Sequence, residues 1–383
     1  MRGVRKLWTL WRLPLFAVLF AASLAAGGET QGESPSKDWP LFRGDPQSTG
    51  VAREELAEPL ELLWKFNVPE GAFDSTPAIA AGVVYVGDLD GTLHAIDLAT
   101  GAARWQQKLE SGFMASPAVR GELLYVGDFD GRFHCFEAAT GKIRWTFETE
   151  AEIDSSANFY QDQVLVGSQD ATLYCLRATT GELVWKHAIA DQIRCTPTIV
   201  GDRVFLAGCD ARLHILDLTN GQVVAQVDIK SPTGVTPAAQ GDRVYFGTEG
   251  GEFFCVDWKQ ARVVWTFAAK AGQQPYRSSA AVSGESVVVG SRNKRVHALH
   301  APTGRELWTF ATRQRVDSSP VIAGRRVFVG SGDGRLYGLD LETGREVWQY
   351  EAGGGFSGAP AIADGRLVIA SDQGVVYCFG KKP

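Results

Sequence analysis

The side chains with chemical potential in this 383-residue chain recur at fixed intervals, and that regularity limits what they can do. Carboxylates stand in short polar stretches between apolar runs, at Asp88, Asp90, Asp128, Asp130, Asp170, Asp210, Glu249, Asp333 and Asp372. Two of these stretches, Asp88-Leu-Asp-Gly91 and Asp128-Phe-Asp-Gly131, look like a fragment of a calcium loop. The distal glutamate of such a loop is missing, and Asp and Gly are what a tight hairpin needs in any case. His94, His134, His214 and His297 occupy one register that holds Tyr174 and Tyr337 elsewhere, so they read as repeat residues and not as metal ligands. The chain has no Gly-x-Ser-x-Gly, no His-Glu-x-x-His and no Cys/His set with metal spacing. One sector is basic instead of acidic. Lys270, Arg277, Arg292, Lys294, Arg313 and Arg315 fall in three successive connections, and their convergence on one rim would hold an anionic ligand or an acidic partner segment. The competing reading is a set of solvated charges answering neighbouring carboxylates.

These residues are positioned by a repeat. Trp64, Trp105, Trp145, Trp185, Trp265, Trp308 and Trp348 are spaced by about forty residues or a multiple, with Ala225 in the vacant register. Gly87, Gly127, Gly167, Ala207, Gly247, Gly290, Gly330 and Ala370 mark the same eight units independently. Each unit carries short apolar runs such as Leu123-Leu-Tyr-Val126 and Phe133-His-Cys-Phe136, bounded by Gly and Asp turns, which predicts four antiparallel strands. A sheet of that size cannot bury both faces alone, so the units must stack radially. The fold class is therefore all-β, an eight-bladed β-propeller over residues 61–383. The last unit stops after its third strand, and Leu62-Leu-Trp-Lys-Phe-Asn-Val68 is expected to complete it and close the ring. Two units are worn: the fourth has Ala225, and the fifth reads Asp257-Trp-Lys-Gln-Ala-Arg-Val-Val-Trp265, without the Thr-Gly turn.

The repeat decides the cysteines as well. Cys135, Cys175, Cys255 and Cys378 share a third-strand register, and same-register residues of adjacent blades lie ~10 Å apart, too far for a bridge. They read as small buried hydrophobes. Cys195 and Cys209 are the pair whose registers leave a bridge open. At the head of each first strand, Asp74, Met114, Asp154, Arg194, Gly234, Arg277, Asp317 and Ser357 should line a central funnel, with Asp154 pairing to Arg194 and Arg277 to Asp317 across blades. A funnel lined this way also suits a small polar molecule.

Asp97-Leu-Ala-Thr-Gly-Ala-Ala-Arg-Trp105, Glu137-Ala-Ala-Thr-Gly-Lys-Ile-Arg-Trp145 and Asp340-Leu-Glu-Thr-Gly-Arg-Glu-Val-Trp348, with the lead-in Asp38-Trp-Pro-Leu-Phe-Arg-Gly-Asp45, carry a resemblance. The chain resembles the pyrroloquinoline-quinone-type (PQQ-like) repeat propellers, a family that includes the outer-membrane assembly lipoprotein BamB and the quinoprotein alcohol dehydrogenases. The resemblance implies that the seven repeat tryptophans dock neighbouring blades. It also implies what a quinone site would need: a vicinal disulfide, a stacking tryptophan, a calcium ion and a base aspartate. This chain has no adjacent cysteines, and Trp258, the one propeller tryptophan outside the docking register, lies in a turn predicted for the opposite face. No catalytic residue, metal or cofactor is therefore expected. The reading is a non-catalytic, exported, BamB-like scaffold for protein–protein interaction in the cell envelope. The alternatives are a quinone- or small-molecule-binding propeller with an oxidoreductase role, and a sensor of an envelope glycan or peptide.

Residues 1–26 open with Arg2, Arg5, Lys6 and Arg12 ahead of an apolar run and read as a cleaved signal peptide. No cysteine follows that run, so the lipid-attachment site of BamB is missing and a soluble periplasmic or secreted monomer is expected. Residues 27–37 read as a disordered tether and 38–60 as a lead-in segment. Loss of the four basic leader residues takes the formal charge from −6 to −10, which disfavours nucleic-acid binding.

Overall fold

The computed structural model describes residue 3, residues 37–270 and residues 272–382; nearly all of the predicted leader and of the tether lies outside the described residues. Thirty-two strands form eight four-stranded antiparallel sheets. Seven sheets are consecutive meanders: blade 1 (Ala78–Lys108), blade 2 (Ala118–Glu148), blade 3 (Asn158–Ala188), blade 4 (Thr198–Asp228), blade 5 (Ala238–Ala268), blade 6 (Ala281–Ala311) and blade 7 (Val321–Glu351). Blade 8 takes three strands from Ala361–Gly380 and its outer strand from Glu61–Asn67, with Trp64 opposite Cys378. The ring is thus closed by pairing the two ends of the propeller. No helix among the described residues is long and apolar enough to cross a membrane.

The burial pattern follows from position in the ring. First strands of neighbouring blades touch one another and line the axis. Second and third strands, such as Val83–Gly87, are buried on both faces and accordingly read as unbroken apolar runs. Fourth strands alternate half-buried with exposed because one edge faces water.

The seams between blades explain the repeat motif residue by residue. The Nε1–H groups of Trp64, Trp105, Trp145, Trp185, Trp265 and Trp308 donate to backbone carbonyls of the next blade, for example Trp105 to Ala138 at 2.9 Å and Trp145 to Ala178 at 3.1 Å. Trp348 donates to Leu60, just ahead of the strand that completes blade 8. The Thr-Gly turn of the receiving blade lies under the indole: a Cβ on Gly141 would stand 2.6 Å from Trp105, and its φ of 72° already favours glycine. On the third strand, each indole faces a small or slim residue across the ladder, Ala95 for Trp105 and Cys135 for Trp145. The same-register cysteines are thus small residues beneath an aromatic wedge. Burial pushes their thiols up to about 12, where they stay protonated and inert. Cys195 and Cys209 are separate thiols, so the bridge left open by their registers is not formed.

The two worn units meet at one seam. Where Ala225 leaves the indole out, Trp258 of blade 5 packs against the same cluster, 5.6 Å edge-on from Phe205 of blade 4, and donates to Gly241. The lost tryptophan of one blade is replaced by an indole offered from the turn of the next.

The hairpin carboxylates also have architectural partners. Asp88 and Asp128, each 1% exposed, accept from the third-strand His94 and His134 at 2.8 and 3.0 Å. Asp210 meets His214 at 2.9 Å, while Tyr174 and Tyr337 donate to Asp170 and Asp333. Histidine and tyrosine alternate in this register because either supplies one donor to one carboxylate. Burial pushes His187, His214 and His297 below the usual 6.5, and the neighbouring carboxylates of His214 and His297 only partly offset it. The unfolded chain takes up protons near 6.5 that the folded chain refuses until lower pH. Their contribution to stability is therefore full above 6.5 and is lost as pH falls below it. Asp45, Asp154 and Asp372, raised by burial, act with the opposite sign from 3.8 upward. A His214→Tyr variant, which copies Tyr174, is expected to shrink the fall in melting temperature between about pH 7.5 and about pH 5.5; an unchanged fall would assign that sensitivity elsewhere.

Candidate functional site: the central funnel

The heads of the eight first strands surround a cavity of about 460 Å³. Asp74, Met114, Asp154, Arg194, Gly234, Arg277, Asp317 and Ser357 all line it, together with Asp191 and Glu249 from neighbouring loops. The predicted ion pairs are not the ones formed. At blades 3, 5 and 6 a side chain of the second-to-third-strand hairpin takes the strand-head charge instead. Gln169 donates to Asp154 at 2.8 Å and accepts from Arg194, which also donates to Gln192. Arg277 pairs with Glu249 at 3.1 Å. Asp317 takes both Arg292, through two bonds of 2.9 and 2.8 Å, and Arg315 at 2.9 Å.

The basic sector is accordingly divided. Arg277, Arg292 and Arg315 are neutralised by carboxylates, and of the six predicted basic residues only Arg277 lines the funnel. Arg315 borders a smaller cleft with Asp372. Lys270, Lys294 and Arg313 have side chains that take no ion pair among the described residues, though the Arg313 backbone donates to Asp333. Half of the six are thus answered by carboxylates, and Arg277 and Arg315 line different cavities.

Below the strand heads runs a band of hydroxyls that the sequence reading missed. Thr76, Ser116, Ser156, Thr196, Thr236, Ser279 and Ser319 all face the funnel, each at most 5% exposed. Most of these oxygens accept the backbone N–H of the same register in the preceding blade: Ala359 to Thr76, Thr76 to Ser116 and Ser116 to Ser156 on one arc, Thr196 to Thr236, Thr236 to Ser279 and Ser279 to Ser319 on the other, at 2.9 to 3.0 Å. The signal in the sequence was a Ser or Thr just ahead of the first strand in seven of eight units, usually before proline.

The floor comes from the lead-in. Residues 38–60 cross the axis and bond in turn to the first strands: Trp39 with Ile79 of blade 1, Pro40 with Val119 of blade 2, Pro46 with Asn158 and Ile199 of blades 3 and 4, and Gln47, Thr49 and Gly50 with blades 5 to 7. Arg43, fully buried, donates to Ala280 and Pro320, and burial pulls its pKa down to about 9. It remains charged at neutral pH. Phe42, beside it, is the aromatic floor of the funnel.

These residues do not fit a quinone. Of the five carboxylates that line it, Glu249 and Asp317 are paired with arginines, while Asp74, Asp154 and Asp191 take no ion pair among the described residues, a wall that disfavours a polyanionic cofactor. No indole lines the cavity, and its single cysteine, Cys209, has no adjacent cysteine to bridge with. Among the described residues no group of three His, Cys, Asp or Glu side chains is arranged to hold a metal ion.

The family model for outer membrane protein assembly factor BamB matches residues 60–267, 209–290 and 262–376, almost the whole propeller. The chain belongs to the BamB family of PQQ-like repeat propellers. Among solved structures, BamB from Moraxella catarrhalis is similar at 21% identity and a TM-score of 0.72, covering 84% of this chain and 98% of that one. The quinohemoprotein alcohol dehydrogenase from Comamonas testosteroni aligns at 16% identity and a TM-score of 0.77, over 91% of this chain and 81% of that one. A europium-containing methanol dehydrogenase aligns at 13% identity and 0.76, over 90% and 98%. Among curated proteins, no sequence matches. At these identities the structural likeness is one of fold, shared by the BamB family and the dehydrogenases alike, and function must be argued from the site.

Proposed function

We propose that this BamB-family propeller is a non-catalytic, exported scaffold that binds a protein partner in the cell envelope. The observation that carries the reading is the set of exposed apolar residues on the outer strands of blades 3 and 4. Leu183, Val184, Val223 and Val224, from adjacent blades, are each two-fifths to one-half exposed. The outer strand of blade 4, Val223-Val-Ala-Gln-Val-Asp228, also lacks the Lys or Arg that guards those of blades 1, 2 and 3. An apolar edge without a basic guard favours a protein partner. The leader-like residues 1–26 and the family's printed role in outer membrane protein assembly support an envelope location. The alternative of a quinone-dependent oxidoreductase is disfavoured by the carboxylate-rich funnel and by indoles committed to the blade seams.

The test is recovery of envelope proteins on the wild-type chain and on a Leu183→Glu/Val223→Glu double variant whose melting curve is unchanged. Proteins retained by the first and lost by the second are the expected result. Equal recovery on both would reject this surface as the partner contact.

A further inference from the structure

The funnel has donors and carboxylates that the propeller itself does not use. The seven hydroxyls around the axis are each at least nine-tenths buried and line the cavity, and six of their oxygens, all but that of Thr196, accept the amides described above. Among the described residues none of their O–H groups finds an acceptor, so seven donors are left to the cavity. One layer higher, Asp74 takes no hydrogen bond or ion pair among the described residues. Asp154 has Oδ1 buried and unpartnered, its Oδ2 being held by Gln169. Arg194 draws on Asp154 through space but donates to side-chain amides. Between these two carboxylates stands Met114, two-fifths exposed at the mouth.

We infer that the funnel is a binding site for a small polyhydroxylated amine, of which an amino sugar is the simplest class. Several separate donors around a ring call for a ligand with several acceptor oxygens, which a sugar has and an amino acid lacks. The carboxylates above them, neither of them in an ion pair among the described residues, call for one cationic group. The Phe42 floor offers an apolar face to the C–H surface of such a ring. The 460 Å³ of space suits a molecule of this size. This site is independent of the apolar outer surface proposed for a protein partner.

The experiment is titration calorimetry of the intact protein at low ionic strength, below neutral pH so that the amine carries its proton. The probes are D-glucosamine, N-acetyl-D-glucosamine, D-glucose and glycine. Glucosamine is expected to bind one per chain and about tenfold tighter than the other three, because only it combines the charge with the ring of hydroxyls. Asp154→Asn is expected to weaken it about tenfold, and Met114→Trp, which fills the mouth without changing charge, to abolish it. Melting curves report that both variants are folded. No binding of glucosamine, equal binding of the acetylated sugar, equal binding of glycine, or binding retained by both variants would each overturn the site. The Leu183→Glu/Val223→Glu chain should bind glucosamine normally, and Asp154→Asn should recover the same partner proteins, so failure of either proposal is read separately.

Discussion

Replacing Trp145 by alanine is expected to destabilise the propeller by about 3 kcal/mol, near the lower end of what truncating a packed tryptophan costs, because its outer edge is partly exposed. The indole fills the seam between blades 2 and 3. It lies 5.9 Å from Tyr125 and 5.8 Å from Phe133 within its own blade, and its N–H reaches Ala178 of the next. Gly181, at a φ of 75°, leaves room for it; a Cβ there would stand 2.7 Å from the ring. Alanine would open a void that a glycine turn cannot fill, since the turn has no side chain to move in. The carbonyl of Ala178 would also lose one of its two donors, keeping the Tyr125 hydroxyl at 3.1 Å. Thermal unfolding followed by circular dichroism should show a transition lowered by several degrees, and Trp145→Phe should recover the packing share but not the hydrogen bond. An unchanged melting curve for Trp145→Ala would mean that the seam does not depend on its wedge.

A second large effect is expected at the seam between blades 4 and 5, where the wedge comes from the other side. Trp258→Ala should cost about as much as Trp145→Ala, on the order of 3 kcal/mol, although Trp258 is outside the repeat register. Ala225→Trp alone should also destabilise, by about 1 to 3 kcal/mol, because two indoles would compete for one slot. The double variant Trp258→Ala/Ala225→Trp should recover part of the loss, with a coupling above about 1 kcal/mol in a double-mutant cycle. Strict additivity of the two single effects would show that Ala225 and Trp258 do not share a slot. The recovery should be incomplete because the receiving turn has Ala261 at a φ of 49° where other blades have glycine, and its Cβ crowds the incoming ring.

Most of the fold is legible in the sequence. The Trp and Gly registers counted eight blades, and the alternation of apolar runs with Gly and Asp turns marked their strands. Trp64, stranded ahead of the first unit, placed the closing strand on the last blade, where it stands opposite Cys378. The candidate site was less legible. The funnel-lining register was readable, but Asp154, Arg194, Arg277 and Asp317 were assigned the wrong partners. Strand-head spacing says which residues approach the axis and nothing about the hairpin side chains that reach between them. The hydroxyl band was visible as a recurrent Ser or Thr and went unread, because its bonds run between blades about forty residues apart. The hairpin aspartates were legible as turn residues, but not that Asp88 and Asp128 turn inward to histidines six residues on.

The sequence by itself determined the number of blades, the order of their strands and the place where the ring closes. Each of those depends on local periodicity and turn chemistry that every repeat carries within about forty residues. Tertiary structure alone decided that the lead-in crosses the axis to put Phe42 under the funnel. It also decided that Trp258 takes the slot of Ala225, and that Gln169, Glu249 and Arg292 choose the partners of the axial charges. Those outcomes depend on distances between residues of different blades, set by how the ring closes, and no stretch of a single repeat contains them.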